Sequence, residues 1–300
     1  MRIPFSGVGT ALVTPFRPDG SLDEDAVRRL TRRQIDAGIH FLSPCGTTGE
    51  APTLSHREKL RVVEIVVDEA NGRVPVLAGA GGYDTREVIE LARDLATVGV
   101  NGLLSVTPYY NKPTQEGLYQ HFRAIADATH LPIVLYNVPG RTGVNLDTQT
   151  VVRLSEHPNI VAVKEASANV VQMCDIVANT PDDFMLLSGD DPLIVAVMGI
   201  GGRGIICVTS NQAPSECVQI VELCERGDFD AARKLYNWLL PLIQANFAEA
   251  NPIPCKSAMA MMGLLEEVYR LPLVAPSAAT KDRLARVLQQ LKMHGAAARV

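Results

Sequence analysis

The sequence lacks the features that mark secreted, membrane-spanning and disulfide-stabilised proteins. Its 300 residues include 6 cysteines, none of them in a C-x-x-C pair, so neither a disulfide framework nor a common zinc motif is indicated. No apolar run approaches the roughly 20 residues needed to span a bilayer, and residues 1–7 contain no apolar signal core. We therefore expect a soluble, cytoplasmic protein whose cysteines are reduced, buried thiols.

A concentrated block of charge is also missing. The 28 Lys and Arg residues are scattered among 33 Asp and Glu residues, for a net charge of -5, so no basic surface for nucleic acid is indicated. The 6 histidines include no H-E-x-x-H motif and no close pair, and they provide no obvious set of metal ligands. The composition predicts no nucleic-acid partner and no metal cofactor.

A repeated pattern of strand and helix runs through most of the chain. Short apolar runs alternate with amphipathic stretches of a dozen or more residues, which is typical of βα units. Ser21, Ser55 and Asp84 each precede a glutamate by three residues, a pairing that predicts a helix N-terminus. The predicted strands span residues 9–13, 40–44, 74–78, 102–106, 132–136, 160–163, 184–187 and 204–208.

Eight such units fit a closed (β/α)8 barrel or an open doubly wound sheet. Residues 199–204 match G-x-G-x-x-G, but they precede a predicted strand, whereas a dinucleotide-binding segment follows a strand and opens a helix. We interpret them as a helix-to-strand turn and predict a (β/α)8 TIM barrel over residues 1–227. Predicted helices over residues 228–249, 253–269 and 277–294, separated by prolines, form a C-terminal helical domain (228–300) that packs on the barrel.

In such a barrel, reactive groups lie at the C-terminal ends of the strands. Lys164 ends the sixth predicted strand, where burial disfavours the ammonium form and leaves an amine that attacks carbonyls. The alternative is a lysine that reaches the rim and pairs with Glu165 or another carboxylate. Tyr136 and Arg141, near the end of the fifth strand, fit a proton relay and a carboxylate clamp. Tyr136 fits a core aromatic residue equally well, and Arg141 fits a surface residue.

Two other loops follow predicted strands. In the G-T-T-G-E loop at residues 46–50, hydroxyl and backbone N–H groups of Thr47 and Thr48 can bind a carboxylate, although a plain strand-to-helix turn has the same composition. The loop at residues 107–113 contains Tyr109 and Tyr110, which suit an interface or a lid.

Together, these segments resemble a known family over nearly the whole chain. The motifs appear in family order and are G-T-T-G-E at 46–50, T-P-Y-Y-N-K-P at 107–113, Y-N-V-P-G-R-T-G at 136–143, V-K-E-A-S at 163–167, S-G-D-D at 188–191 and N-P-I-P-C-K at 251–256. On these motifs, the sequence is similar to the pyruvate-dependent Schiff-base aldolase family, and within it to the dihydrodipicolinate synthases.

The resemblance implies a lyase reaction without an organic cofactor. Lys164 would form a Schiff base with pyruvate, and the enamine derived from it would add to L-aspartate 4-semialdehyde. This is the first committed step of diaminopimelate and lysine biosynthesis.

The resemblance also assigns roles to the other candidate residues. Tyr136, Thr47 and Tyr110 would relay protons, with Tyr110 supplied by the neighbouring subunit, so a homo-oligomer is implied. In this family it is usually a tetramer built as a dimer of dimers. The substrate-binding residues implied are Thr47 and Thr48 for the pyruvate carboxylate, Ile206 through its carbonyl beside pyruvate, and Arg141 for the carboxylate of the aldehyde.

Three other functions remain open from the sequence. Sugar-acid aldolases and N-acetylneuraminate lyases share the lysine and the tyrosine, but generally not the whole 136–143 segment that carries Arg141. A phosphate-binding isomerase or lyase would use the glycines at 199–204 as an anion site. A non-catalytic binding protein is disfavoured because every relay position is retained.

One set of positions departs from the family pattern. Many bacterial relatives are inhibited by lysine, which binds in a cleft at a subunit interface. At two positions of this cleft the present sequence differs from the inhibited enzymes: it has Lys59 where they usually have histidine and Tyr83 where they have asparagine. A cation at Lys59 would repel the ammonium group of the effector, so we predict weak or absent lysine feedback. The positions that match this cleft are Ala51, Pro52, His56, Lys59, Tyr83, Glu87 and Tyr109.

Overall fold

Eight parallel strands form the centre of the fold in the computed structural model, which describes residues 5–293. Neighbouring strands follow the order β2-β1-β8-β7-β6-β5-β4-β3, and a parallel bridge between Leu42 and Val76 joins β2 to β3 and closes the barrel. The predicted (β/α)8 TIM barrel is therefore confirmed. The strands are β1 Gly7–Ala11, β2 Phe41–Ser43, β3 Leu77–Gly79, β4 Gly102–Val106, β5 Ile133–Asn137, β6 Ile160–Glu165, β7 Met185–Ser188 and β8 Gly204–Cys207.

Helices connect the strands on the outside of the barrel. Ser55 caps α2 through a capping box with Glu58, and Asp84 caps α3 through the N–H of Arg86, as predicted. The helices are α1 Glu24–Asp36, α2 His56–Ala70, α3 Thr85–Val98, α4 Gln115–Asp127, α5 Pro139–Thr142, α6 Thr148–Ser155, α7 Val170–Asn179, α8 Ile194–Gly199, α9 Pro214–Glu225, α10 Phe229–Asn246, α11 Ile253–Met261 and α12 Ala278–Gln290.

The predicted cap at Ser21 is wrong. Helix α1 begins after Asp23, whose Oδ1 accepts a hydrogen bond from the N–H of Ala26 at 3.0 Å. The Ser21 hydroxyl instead donates to Asp19 at 2.6 Å. Asp19 thus holds Ser21 in a turn, and the carboxylate nearer the helix takes over the capping role.

The predicted C-terminal helices differ in length from the observed ones. Helix α10 begins after Asp228, as predicted, but α11 ends at Met261 rather than at residue 269. The predicted third helix is α12, with Ser277 as its cap, and its predicted end at residue 294 lies outside the described residues. The division into two domains at residue 227 stays a prediction.

The glycine segment at residues 199–204 is the predicted helix-to-strand turn. Helix α8 ends at Gly199 and β8 begins at Gly204, so this turn lies at the N-terminal end of β8. An anion bound here would be at the opposite end of the barrel from Lys164, near the end of β6. The turn therefore does not contribute to the candidate site.

Two apolar layers fix the position of the strands. One lies between the strands and the outer helices and includes Val88, Leu91 and Leu95 of α3, which recur at helical spacing on one face of that helix. The other fills the barrel interior and includes Leu104, Tyr136, Leu187 and Ile206. This packed interior leaves the C-terminal ends of the strands as the place for a ligand.

A histidine of α4 that is buried against α3 predicts that the protein loses stability in acid. The Nδ1 atom of His121 lies 2.9 Å from Thr85 Oγ1, and burial lowers the His121 pKa from 6.5 to about 4. Histidine in the unfolded chain, with its ordinary pKa, binds a proton more strongly than His121 does in the folded protein. The folded state is therefore destabilised as the pH falls from about 6.5 to about 4.

We expect His121→Gln to weaken this pH dependence. The wild type should lose about 3 kcal/mol more unfolding free energy than the variant between pH 7 and pH 4. Urea denaturation at several pH values measures the difference, and parallel pH profiles for the two proteins would contradict the prediction.

In residues 5–293, no helix has the combined length and apolar character needed to cross a membrane. The same residues contain no cluster of three His, Cys, Asp or Glu side chains that could hold a metal ion.

Five of the six cysteines are buried, and Cys174 is exposed, so the expectation of buried thiols is wrong for that residue.

Candidate active site

Two neighbouring strands bring the predicted lysine and tyrosine together. The register pairs Tyr136 of β5 with Lys164 of β6, and residues opposite each other on adjacent strands share a face of the sheet. Lys164 Nζ lies 4.1 Å from the centroid of the Tyr136 ring. Both side chains are almost completely buried, with 5% and 6% exposure. The amine thus lies against an aromatic face at the end of the barrel interior.

The neighbours of Lys164 leave its amine without a carboxylate partner. Within residues 5–293, Lys164 forms no ion pair, because the Glu165 carboxylate accepts hydrogen bonds from Asn137, Gln172 and the N–H of Ser167. The predicted alternative of a Lys164–Glu165 pair is therefore wrong. The two side chains leave the strand on opposite faces, so the carboxylate is held behind the barrel wall.

A glycine and an aspartate after β7 complete the surroundings of the lysine. A Cβ at Gly189 would lie 2.6 Å from Ala166 Cβ and 3.1 Å from Lys164 Cε, so a larger residue here would collide with Ala166 and crowd the lysine side chain. Burial raises the pKa of Asp190, and the charge on Lys164 opposes that shift. The Asp190 carboxyl is therefore close enough to Lys164 to interact with it electrostatically.

The 46–50 loop lies at the same end of the barrel. Thr47 is partly exposed in the cavity, whereas Thr48 is buried and its Oγ1 accepts a hydrogen bond from Asn251 Nδ2 at 2.9 Å. With that lone pair occupied, the Thr48 hydroxyl proton remains free to donate to an anion. The loop also presents backbone N–H groups to a bound carboxylate.

Arg141 lies in the short helix α5 and faces the same cavity. Its Nη2 donates to the Asn251 carbonyl at 3.1 Å, and among residues 5–293 its Nε and Nη1 form no hydrogen bond. One edge of the guanidinium is thus held by the protein, and another can bind a carboxylate with two hydrogen bonds.

The cavity at this end of the barrel has a volume of about 260 Å³. Its described lining contains the cations Lys59 and Arg141 and no Asp or Glu, which favours an anionic ligand. Burial raises the pKa of Cys45 in this lining to about 12, so this thiol is not a competing nucleophile at neutral pH. The lining residues are Cys45, Gly46, Thr47, Ala51, Pro52, Lys59, Gly79, Gly81, Leu91, Leu104, Val106, Tyr109, Tyr136, Val138, Arg141 and Thr142.

The two remaining candidates occupy different places. Ile206 is completely buried in β8, in the same interior cluster as Tyr136. Tyr110 does not line the cavity: its side chain is 90% exposed, and its backbone has a left-handed φ of 69°. Of the predicted site residues, Thr47, Tyr136 and Arg141 line the described cavity. Lys164 does not line it but lies over Tyr136, and Thr48 and Ile206 are buried close to lining residues.

The sequence pattern gave no role to several residues that hold the site. Asn251 contacts both Thr48 and Arg141, and Lys256 pairs with Glu50. These partners are separated by 110 to 206 residues, so no local spacing indicates the contacts. The only signal is that they fall inside the 46–50, 136–143 and 251–256 motifs.

Comparison with known proteins shows the same family over nearly the whole chain. Residues 4–291 match the model of the dihydrodipicolinate synthetase family. The 4-hydroxy-tetrahydrodipicolinate synthase of Koribacter versatilis is 51% identical over 94% of each chain, and that of Chloroherpeton thalassium is 49% identical over 99% of each. A crystal structure of dihydrodipicolinate synthase from Thermotoga maritima is 42% identical, covers 96% of this chain and 97% of that chain, and superposes with a TM-score of 0.95. The chain belongs to the dihydrodipicolinate synthetase family.

Proposed function

We propose that this protein is a 4-hydroxy-tetrahydrodipicolinate synthase, which condenses pyruvate with L-aspartate 4-semialdehyde. The observation that carries the proposal is the amine of Lys164, which is 5% exposed, has no ion-pair partner within residues 5–293, and lies over Tyr136. A lysine in this setting suits nucleophilic attack on a carbonyl, whereas a structural lysine is usually paired or solvated.

The proposed reaction begins with attack of the Lys164 amine on the keto carbon of pyruvate. Loss of water gives an iminium ion, and loss of a methyl proton gives an enamine. The enamine carbon forms a bond to the aldehyde carbon of the second substrate, whose oxygen takes a proton. The amine of that substrate then attacks the iminium carbon, which closes the ring and breaks the bond to Lys164.

The surrounding groups have separate tasks in this proposal. Thr47 and Thr48 bind the carboxylate of pyruvate, and the Ile206 carbonyl lies beside the bound keto acid. Arg141 binds the carboxylate of the aldehyde. Tyr136, Thr47 and Tyr110 relay protons between the substrates and solvent. The chemistry needs no organic cofactor and no metal ion.

We further propose a cytoplasmic homo-oligomer, a tetramer built as a dimer of dimers. The 90% exposure of Tyr110 supports the dimer within this assembly, since a relay tyrosine directed away from its own cavity can serve a neighbouring subunit. Tyr109, next to Tyr110, packs edge-on against Tyr83 of the loop between β3 and α3, with ring centroids 5.3 Å apart.

Trapping with borohydride tests the proposed function. Sodium borohydride reduces an iminium ion to a stable secondary amine, so wild-type protein incubated with pyruvate and reductant should gain one three-carbon adduct on the peptide that contains Lys164. Protein without pyruvate is the control. An adduct on another residue, or no adduct, would overturn the assignment.

Condensation assays with aspartate semialdehyde, N-acetylmannosamine and glyceraldehyde separate the synthase from a sugar-acid aldolase.

We expect L-lysine at submillimolar concentration to leave the synthase rate unchanged. Lys59 lines the cavity beside Ala51 and Pro52, and its fixed charge opposes binding of a cationic amino acid. Replacing it in the Lys59→His variant should increase sensitivity to lysine. Initial rates titrated with lysine measure this effect, and strong inhibition of the wild type would refute the prediction.

A further inference from the structure

A buried ion pair connects the C-terminal helices to the 46–50 loop. Lys256, in α11, and Glu50 have side chains that are 0% exposed, and Lys256 Nζ lies 2.5 Å from Glu50 Oε1. Isolated buried charges are strongly unfavourable, so each of these groups needs the other.

The surroundings of Lys256 fix the direction of its amine. Its Nζ also donates to the Val268 carbonyl at 2.6 Å and lies 4.5 Å from the centroid of the Phe16 ring. Burial lowers the pKa of Lys256, and the Glu50 carboxylate opposes that shift. The ammonium group is thus held by acceptors on more than one side and has little freedom to follow a moving loop.

On the loop side, Glu50 is the residue that ends the turn. Its backbone has a left-handed φ of 52°, and its N–H donates to the Thr47 carbonyl at 3.1 Å. The second carboxylate oxygen accepts from the N–H of Arg270 at 3.4 Å. A constrained backbone conformation, anchored through its side chain, sets the orientation of the preceding threonines.

We propose that the Lys256–Glu50 pair is a positioning device by which the C-terminal helices hold Thr47 and Thr48 in the geometry that binds the carboxylate of the keto acid. Neither member of the pair touches the substrate. The pair acts through the loop, and this role rests on the proposed function of the loop. Displacement of binding groups by about 1 Å can cost about 100-fold in activity.

The test compares two double variants that each remove an ion pair. Glu50→Gln with Lys256→Met removes both buried charges and leaves no unpaired ion. The matched control, Glu116→Gln with Arg153→Met, removes an ion pair between α4 and α6, with Arg153 Nη1 at 3.0 Å from Glu116 Oε2, on helices that do not carry the 46–50 loop.

The readout is the pyruvate concentration that gives half-maximal borohydride trapping at Lys164. We expect this concentration to rise about tenfold or more in the Glu50/Lys256 variant and to stay at the wild-type value in the Glu116/Arg153 variant. An unchanged value in the first variant, or an equal rise in both, would overturn the positioning role. If the wild type itself is not trapped, the proposed function fails instead.

A milder substitution provides the same test if the first double variant does not fold. Glu50→Asp keeps both charges and withdraws the carboxylate by one methylene group. We expect it to raise the half-saturating pyruvate concentration while the maximal amount of adduct stays near that of wild type. A merely structural pair would lower the unfolding midpoint of Glu50→Asp and leave pyruvate binding unchanged, and that result would overturn the proposal.

Discussion

Replacing Lys164 with methionine is expected to lower kcat by about 10³-fold or more, which corresponds to about 4 kcal/mol in activation free energy. The substitution removes the amine that we propose forms the covalent bond to pyruvate. Pyruvate-dependent trapping should disappear at the same time. Steady-state kinetics and mass analysis of the reduced protein measure both effects.

Folding should not suffer in this variant. Lys164 is buried and has no ion-pair partner within the described residues, and methionine fills a similar volume without a charge to desolvate. We expect the unfolding midpoint of Lys164→Met to be no lower than that of wild type, because active sites often sacrifice stability for reactivity. A variant that loses activity only by unfolding, or that keeps synthase activity, would contradict the covalent role.

The order of the elements was predictable because it depends on local patterns. The strand predicted over residues 102–106 is β4 itself, and the capping box at Ser55 forms as expected. The first strand, predicted over residues 9–13, lies two residues earlier at Gly7–Ala11. Strand ends depend on pairing partners far along the chain, such as Gly7 with Gly204, and a single strand does not contain that information.

Helix α11 shows the same limit. Its predicted end at residue 269 was set by the prolines that follow, but the helix ends at Met261. Beyond this residue, the Val268 carbonyl accepts from Lys256, and the Tyr269 hydroxyl donates to the Ile253 carbonyl at 2.9 Å. Tertiary hydrogen bonds therefore override the helical pattern.

Prediction of the candidate site depended on where strands end. Lys164 and Tyr136 were identifiable as candidates because each lies near the C-terminal end of an apolar strand of a barrel. Asn251 was not, since its role depends on contacts with Thr48 and Arg141 that only the folded chain creates. Candidate reactive residues can therefore be found from local sequence, whereas the residues that hold them in place are found from the structure.

Substrate choice should depend most strongly on Arg141. The Asn251 carbonyl binds one nitrogen of its guanidinium at 3.1 Å, which orients the remaining N–H groups for two parallel hydrogen bonds to a carboxylate. Lysine keeps the charge but lacks this fork. We expect Arg141→Lys to lower kcat/KM for aspartate semialdehyde by about 100-fold, from the loss of about 3 kcal/mol of charge-assisted hydrogen bonding.

Iminium formation with pyruvate alone distinguishes a role of Arg141 in aldehyde binding from a general loss of activity. If Arg141 binds the aldehyde, Arg141→Lys should form the Lys164 iminium at the wild-type pyruvate concentration and fail only when the second substrate is added. The matched control is Arg153→Lys, whose guanidinium carbon lies 3.9 Å from the Tyr119 ring centroid on the outer helices and should leave both steps unchanged. A loss of pyruvate trapping in Arg141→Lys would instead show that this arginine helps to bind the keto acid. A residue that contacts only the aldehyde cannot affect iminium formation, because that step takes place before the aldehyde binds.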